Sequence, residues 1–176
     1  MNVAVAGGEV RLLKQFGLAV VLFVGLAGFG SAAHAGSWED GMAAFARKEY
    51  AAAMKLLRPL AEKGNALAQY RIALMHKMGF GVNKDQREAK KWSRLAARQG
   101  NPDAQVLLGS LYYTKEGNES PDVMLAYMWY EVSASLGNAD ASREIALISR
   151  DMTPRQIVEA REKAQKCKAS GYELCE

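Results

Sequence analysis

The feature that most constrains this chain is a five-residue pattern, Gly-Asn-x-x-Ala, which occurs three times. The copies begin at Gly64, Gly100 and Gly137, at steps of 36 and 37 residues. A period of this length is typical of helical repeat proteins, in which one helix pair cannot bury its apolar face alone. The spacing therefore predicts a stack of helix pairs.

The residues that follow each glycine predict the first helix of a pair. Small or large apolar side chains stand four, eight, nine and eleven positions after each glycine, which places them on one stripe of an amphipathic helix. The small members of the stripe would let a neighbouring helix approach closely. The stripe residues are Ala68, Ile72, Ala73 and Met75, then Ala104, Leu108, Gly109 and Leu111, then Ala141, Ile145, Ala146 and Ile148.

The residues that precede each glycine predict the second helix of the pair. Trp92 and Trp129 stand eight positions before Gly100 and Gly137, with alanines at three and eleven positions before, so we expect both indoles in the core. The glycine itself suits the left-handed residue that ends a helix. The segments 79–85 and 114–122 are rich in Gly, Asn and Pro, which indicates loops.

These elements predict an all-α, right-handed α-solenoid of about four helix pairs. Pro59 falls inside a predicted helix and is expected to kink it or alter its last turns. The last helix is expected to start with Thr153 as N-cap and Pro154 at the first helical position, and its strong charge suits a capping helix. The domain 36–176 divides approximately into units 38–64, 65–100, 101–137 and 138–166, followed by a tail, 167–176.

The first 35 residues have the pattern of a secretory signal peptide. Arg11 and Lys14 precede an uncharged apolar run, Phe16 to Phe29, and Ala33-His34-Ala35 places small residues before a cleavage site at Ala35–Gly36. The alternative is an uncleaved membrane anchor, for which the run is short because a span needs about 20 residues. We therefore expect a periplasmic or secreted protein.

The charge of the chain is mild. The formal net charge of +4 falls by one when residues 1–35 are removed, because Arg11, Lys14 and Glu9 leave with them. The remaining basic residues alternate with acidic ones on the same predicted helices, which is typical of a solvated helix face. A nucleic-acid interface needs a clustered basic patch, so no nucleic-acid partner is expected.

The two cysteines of the chain, Cys167 and Cys175, both lie near its end. An even pair in an oxidising compartment favours a disulfide, and Gly171 between them could end a helix and turn the chain back. The alternative is two separate thiols, one of them packed in the core. The spacing excludes a catalytic Cys-x-x-Cys motif.

The repeat resembles the Sel1-like repeat family, which is related to the tetratricopeptide repeats. The family unit reads A-x-A-Q-x-x-L-G-x-x-Y, then a G-x-G-V-P-x-D loop, then A-x-x-W-x-x-x-A-A-x-x-G, and the resemblance covers roughly residues 38–166. Asn83 stands where the family usually has Pro, and the loop 114–122 lacks G-x-G-V. The matching residues include Ala66, Ala68, Gln69, Gly79, Gly81, Val82, Asp85, Ala89, Trp92 and Gly100, then Ala104, Gln105, Leu108, Gly109, Tyr112, Ala126, Trp129, Tyr130, Ala134 and Gly137. The resemblance implies an adaptor that binds another macromolecule, often in cell-envelope or secreted complexes.

No catalytic, metal or cofactor site is predicted. His76 is the only histidine after residue 35, and a metal site would need several converging ligands. Nucleophile–base pairs do not occur at a recognisable spacing, and no glycine-rich loop follows a strand. Carboxylate pairs such as Glu159 and Glu162 lie on polar helix faces. We therefore expect a protein that is not an enzyme and holds no cofactor.

The remaining function is recognition of another protein or peptide, with a membrane contact only through an uncleaved signal segment. In such solenoids the first helices of the pairs line the concave face, where positions seven, ten and thirteen after each glycine lie off the core stripe. We expect the leucines among them to be partly exposed; the alternative is that they pack between helices. These positions are Arg71, Leu74 and Lys77, then Leu107, Ser110 and Tyr113, then Glu144, Leu147 and Arg150.

Two other functions stay open. The first is a cell-wall-directed hydrolase, because some cysteine-rich members of the resembled family are associated with cell-wall or β-lactam chemistry. Those members carry a cysteine pair in each repeat, whereas this chain has one pair at its end. The second is a membrane-tethered regulator that retains residues 1–35.

Overall fold

The computed structural model describes residues 37–114 and 120–175. These residues form eight α-helices, one short 3-10 helix and no strand, which confirms the all-α prediction for them. All of them lie in one compact unit, Ala33–Glu176. The elements are α1 (Trp38–Ala46), α2 (Tyr50–Glu62), α3 (Ala66–Met78), α4 (Gln86–Ala97), α5 (Pro102–Tyr113), α6 (Val123–Ala134), α7 (Ala139–Ile148), the 3-10 helix Ser149–Asp151, and α8 (Pro154–Ala169).

Each Gly-Asn pair ends one helix. In the first turn the Gly64 N–H donates to the Ala61 carbonyl at 3.0 Å, and the Asn65 N–H donates to the Leu60 carbonyl at 3.1 Å. These two bonds are the Schellman arrangement, which satisfies carbonyls at the helix end and requires a left-handed residue. The same two bonds recur in the other two turns. The φ angle is +93° at Gly64, +78° at Gly100 and +87° at Gly137, as predicted.

The asparagine of each pair then begins the next helix. The Asn65 side chain accepts a hydrogen bond from the Ala68 N–H at 2.9 Å, which satisfies one of the free donors of the first turn. The capped residue is an alanine in every copy because its side chain is fully buried against the neighbouring helices. The equivalent bonds are Asn101 to Ala104 at 2.8 Å and Asn138 to Ala141 at 3.1 Å.

Consecutive helices pack against each other from α1 to α7, which gives three regular helix pairs. The fourth predicted pair, 138–166, departs from this pattern because α8 packs mainly against α6 and not against α7. One side of α7 is therefore left uncovered. Of its predicted core stripe, Ile148 is buried, but Ile145 is half-buried and Ala146 is exposed.

The core consists of three apolar clusters that follow one another along the stack. Half-buried Tyr70 contacts the first and second clusters, and Tyr112 contacts the second and third. Trp92 is 7% exposed and Trp129 is 0% exposed, so the prediction that both are core residues is confirmed. Pro59 lies within α2, which continues to Glu62.

The loop 79–85 is held against the start of α2. The Phe80 ring stacks on the Tyr50 ring with 4.5 Å between centroids. Gly81 has a φ of +72°, and a Cβ added there would lie 2.5 Å from the Tyr50 carbonyl carbon, so only glycine fits. In the second loop, residues 115–119 lie outside the described residues, and Asp122 caps α6 by accepting from the Leu125 N–H at 2.9 Å.

The chain ends in a hook that a disulfide closes. Cys167 and Cys175 are bonded, which confirms the predicted pair, and both are buried. The chain reverses at Gly171, whose φ is +65°. This brings the Tyr172 ring against Gly100, where an added Cβ would lie 3.1 Å from it. The hook therefore covers the second Gly-Asn turn.

Within residues 37–114 and 120–175, no helix is long and apolar enough to cross a membrane. The predicted signal segment, 1–35, and its cleavage site at Ala35–Gly36 lie outside the described residues.

Candidate partner-binding face

Of the nine positions predicted to face a partner, seven lie on α3, α5 and α7 and keep some exposure. Leu147 is 53% exposed and Tyr113 is 38% exposed, while the others are half-buried. The ninth position, Arg150, lies in the 3-10 helix and is also exposed. We call this surface the helix-A face; its residues are Arg71, Leu74, Lys77, Ser110, Tyr113, Glu144 and Leu147.

Leu107 does not belong to the helix-A face. Only 6% of its surface is exposed, which corrects the expectation that it is partly exposed. Leu107 and Leu111 enter the first core cluster together with Ile72 and Met75 of α3. The leucine at this position therefore packs between α3 and α5, as the alternative interpretation held.

Arg71 lies at the α1 side of the helix-A face. The central carbon of its guanidinium lies 4.9 Å from the centroid of the Phe45 ring and 5.8 Å from that of Tyr70, which is a cation–π arrangement. Its Nε atom is buried without a hydrogen-bond partner. The repeat spacing does not indicate Phe45, because α1 has no Gly-Asn turn before it from which to count.

Lys77 lies at the α5 side of α3. Its ammonium donates a hydrogen bond to the Ser110 hydroxyl oxygen at 2.8 Å, and the Ser110 hydroxyl donates to the Leu107 carbonyl at 2.8 Å. The pKa of Lys77 is lowered because the side chain is partly buried. The Glu144 carboxylate offsets part of this effect. Residues of α3, α5 and α7 therefore come within electrostatic range of each other across this face.

Tyr113 connects α5 to the 3-10 helix. Its hydroxyl donates a hydrogen bond to the Asp151 carboxylate, and this bond is the main cause that raises the pKa of Tyr113. Sequence reasoning missed Asp151, which lies beyond the last counted helix. It also missed Leu67, an exposed leucine one turn before Arg71 on the same side of α3, which the i, i+4 spacing could have indicated.

The described residues form no recognisable reaction centre. His76 is buried at the end of α3, neither of its ring nitrogens has a hydrogen-bond partner, and burial lowers its pKa. No group of three or more His, Cys, Asp or Glu residues in the described ranges is placed to hold a metal ion. A cleft of about 370 Å³ beside α8 is lined by Glu159, Glu162, Lys163, Lys166, Leu174 and Cys175.

The fold defines a class of protein, an α-solenoid built from repeated helix pairs. The Sel1 repeat model matches residues 66–101 and 102–138. The chain therefore contains two Sel1 repeats, and repeats of this kind generally form non-catalytic scaffolds for protein–protein interaction.

A solved structure supports this assignment. The chain is similar to the crystal structure of c5321, described as "a protective antigen present in uropathogenic Escherichia coli strains displaying an SLR fold". The TM-score is 0.70 and the sequence identity is 28%, over 78% of this chain and 30% of that chain.

Two curated proteins are also similar. The uncharacterized protein NMB1327 of Neisseria meningitidis serogroup B is 34% identical over 92 residues, which are 52% of this chain and 18% of the relative. The chitin synthase regulator SKT5 of Saccharomyces cerevisiae is 34% identical over 91 residues, 51% of this chain and 13% of the relative. The chain thus spans less than a fifth of the length of these relatives.

Proposed function

We propose that this chain is a periplasmic or secreted scaffold that binds another protein through the helix-A face in a cell-envelope process. The observation that carries the proposal is the apolar surface left open there, where Leu147 and Tyr113 are exposed and Leu74 is half-buried. Burying such side chains against a partner is favourable at about 25 cal/mol per Å² of apolar area.

The composition of the face suits an extended peptide or a helix of the partner. The apolar side chains of the face are Leu74 on α3 and Leu147 on α7. The hydrogen bond between Lys77 and Ser110 adds a polar group that joins α3 to α5. Apolar anchors supply affinity in peptide recognition, while polar groups fix register and orientation.

The location rests on the sequence of the first 35 residues. An export signal followed by a repeat domain with a terminal disulfide suits an oxidising compartment. Mass spectrometry of the protein from its native cells should find Gly36 as the first residue. A protein that retains residues 1–35 would instead favour the membrane-tethered regulator.

A photo-crosslinking experiment tests the binding face. A photoreactive amino acid is placed at Leu147 and, as a matched control, at Val158 of α8, because the two side chains are equally exposed, at 53% and 54%. In native cells we expect the Leu147 probe to crosslink one discrete protein that the Val158 probe does not.

The purified partner then completes the test. Leu147→Glu should weaken its binding at least tenfold, because it places a charge in an apolar contact, and Val158→Glu should leave binding unchanged. Equal crosslinking from both positions, or equal binding by both variants, would contradict the helix-A face as the binding surface.

A further inference from the structure

Arg71 is the cation of the helix-A face that forms neither a hydrogen bond nor an ion pair among the described residues. Its Nε is enclosed without a hydrogen bond, and no carboxylate among the described residues forms an ion pair with it. Enclosing a charged donor without a hydrogen bond is unfavourable, because the group loses water and gains nothing in return. The side chain is nevertheless held in place by the Phe45 ring beneath the guanidinium.

Lys77, a second cation on the same helix, does have polar partners. It is also half-buried, but its ammonium donates to Ser110 and lies within electrostatic range of Glu144. Lys77 therefore has a neighbour for its hydrogen bond and a counter-charge across the face, whereas Arg71 has neither among the described residues.

A carboxylate is the group that best pairs with the guanidinium of Arg71. The enclosed Nε is out of reach of a partner, but the two terminal nitrogens of the guanidinium are not among the enclosed atoms. Their N–H groups form a planar fork that matches the two oxygens of a carboxylate, and the aromatic ring lies beneath the plane of this fork. Charge-assisted bonds of this kind are stronger than neutral ones, particularly where water is partly excluded.

We propose that Arg71 selects partners that place an aspartate or glutamate side chain against it. This inference rests on the proposed function, because it names the chemistry that the helix-A face recognises. Arg71 is the sixth residue of α3, with Leu67 on one side of it and Leu74 and Lys77 on the other. A bound segment therefore continues past Arg71 in both directions, which fits a side-chain carboxylate better than a chain terminus.

The test uses random 12-residue peptides displayed on phage through their C-termini, so that no peptide offers a free carboxyl terminus. The library is selected on the immobilised chain, and enriched sequences are aligned. We expect one aligned position to be dominated by Asp or Glu. The best peptide and its Asn or Gln counterpart are then synthesised with amidated C-termini, and their affinities are compared by fluorescence anisotropy.

The acidic peptide should bind wild-type protein about 10- to 100-fold more tightly than its amide counterpart, as expected for a charge-assisted pair. In Arg71→Met, which keeps the length of the stem, this ratio should fall to about one. Lys77→Met should weaken both peptides but keep the ratio. Arg98→Met, which removes an exposed cation directly after α4, should leave both affinities unchanged. Circular dichroism melts establish that each variant is folded.

The outcomes separate this inference from the proposed function. If no peptide is enriched over the unselected library, the proposal that the helix-A face binds a partner is contradicted, and so is the inference about Arg71. If peptides are enriched without an acidic position, or if folded Arg71→Met keeps the preference for the acidic peptide, the face binds peptides but the role of Arg71 is wrong.

Discussion

The two matched repeats, 66–101 and 102–138, use the same scaffold but differ at two equivalent buried polar groups, a glutamine amide and a tryptophan N–H. In both, a glutamine five residues after the glycine donates to a carbonyl at the end of the preceding helix, at 3.1 Å: Gln69 to Ala61, and Gln105 to Ala97. In the first repeat, the other end of the amide also has a partner, because the Gln99 side chain donates to the Gln69 oxygen at 2.7 Å.

In the second repeat the equivalent atoms are buried without partners. Leu136 stands where the first repeat has Gln99, and the Gln105 side-chain oxygen is unpaired. The Trp92 indole N–H donates to Glu88 at 3.0 Å, whereas the Trp129 N–H has no partner.

Two residue differences account for the missing partners, because Leu125 stands where the first repeat has Glu88 and Leu136 stands where it has Gln99. The packing of α8 adds to this difference. Because α8 lies on α6, it excludes water from Trp129 and its surroundings, while α4 keeps one side in solvent where Glu88 can serve Trp92. The second repeat therefore gains apolar burial and leaves two polar atoms unsatisfied. The repeat under the capping helix thus has apolar residues at the two positions where the more exposed repeat has polar partners.

Truncation of the two tryptophans should change the free energy of unfolding more than any other test of this comparison. Trp129→Ala should lower the free energy of unfolding by about 3–5 kcal/mol, the range for losing a fully buried aromatic side chain. Trp92→Ala should lie at the lower end of that range, because its indole keeps a solvent-exposed edge. Urea unfolding followed by circular dichroism measures both. An unchanged transition for Trp129→Ala, or the reverse order of the two variants, would show that α8 does not add burial to the second repeat.

The next test concerns the loop of the first repeat, which is fixed against α2. Gly81→Ala should cost about 2–4 kcal/mol, because the methyl group would overlap the Tyr50 backbone and the residue would keep a left-handed φ. Gly79→Ala is the matched control: its φ is +77°, but its nearest contact is an ordinary 3.5 Å, so about 1 kcal/mol is expected. Equal losses in thermal unfolding would mean that the loop can move away from α2.

The sequence predicts this molecule best where its structure is decided locally. The Gly-Asn turns were predictable because their glycine and asparagine satisfy neighbouring backbone groups within a few residues of themselves. The position of α8 was not, because its sequence pattern does not show which earlier helix it packs against, and in the structure that helix is α6. Leu107 was misplaced for the same kind of reason, since helical spacing alone does not show how closely α5 approaches α3.

The candidate face likewise contains residues that the repeat spacing predicts and contacts that it does not predict. Leu147 and Tyr113 were found by counting along a repeat, and both are exposed. The contact of Arg71 with Phe45 joins α3 to α1, which carries no Gly-Asn pattern from which to align it. The pattern therefore locates positions within a unit, while contacts between an ordinary unit and an irregular one need the structure.

The smallest expected effect tests the unpaired amide of the second repeat directly. Leu136→Gln restores the residue found at the equivalent place in the first repeat, and its side chain should donate to the Gln105 oxygen as Gln99 donates to Gln69. We expect a gain of about 1 kcal/mol in the free energy of unfolding, because a buried acceptor is satisfied and the exposed Leu136 gives up little apolar burial.

Two controls connect that gain to the amide. Leu136→Ser is polar but too short to reach Gln105, so it should bring no gain. In a Gln105→Met background, where the buried acceptor is absent, Leu136→Gln should also bring none, and the difference between the backgrounds measures the coupling of the two residues. A gain that persists without Gln105 would mean that Leu136 weakens the turn for another reason. A gain that disappears would show that the second repeat lacks, at this position, a bond that the first repeat has.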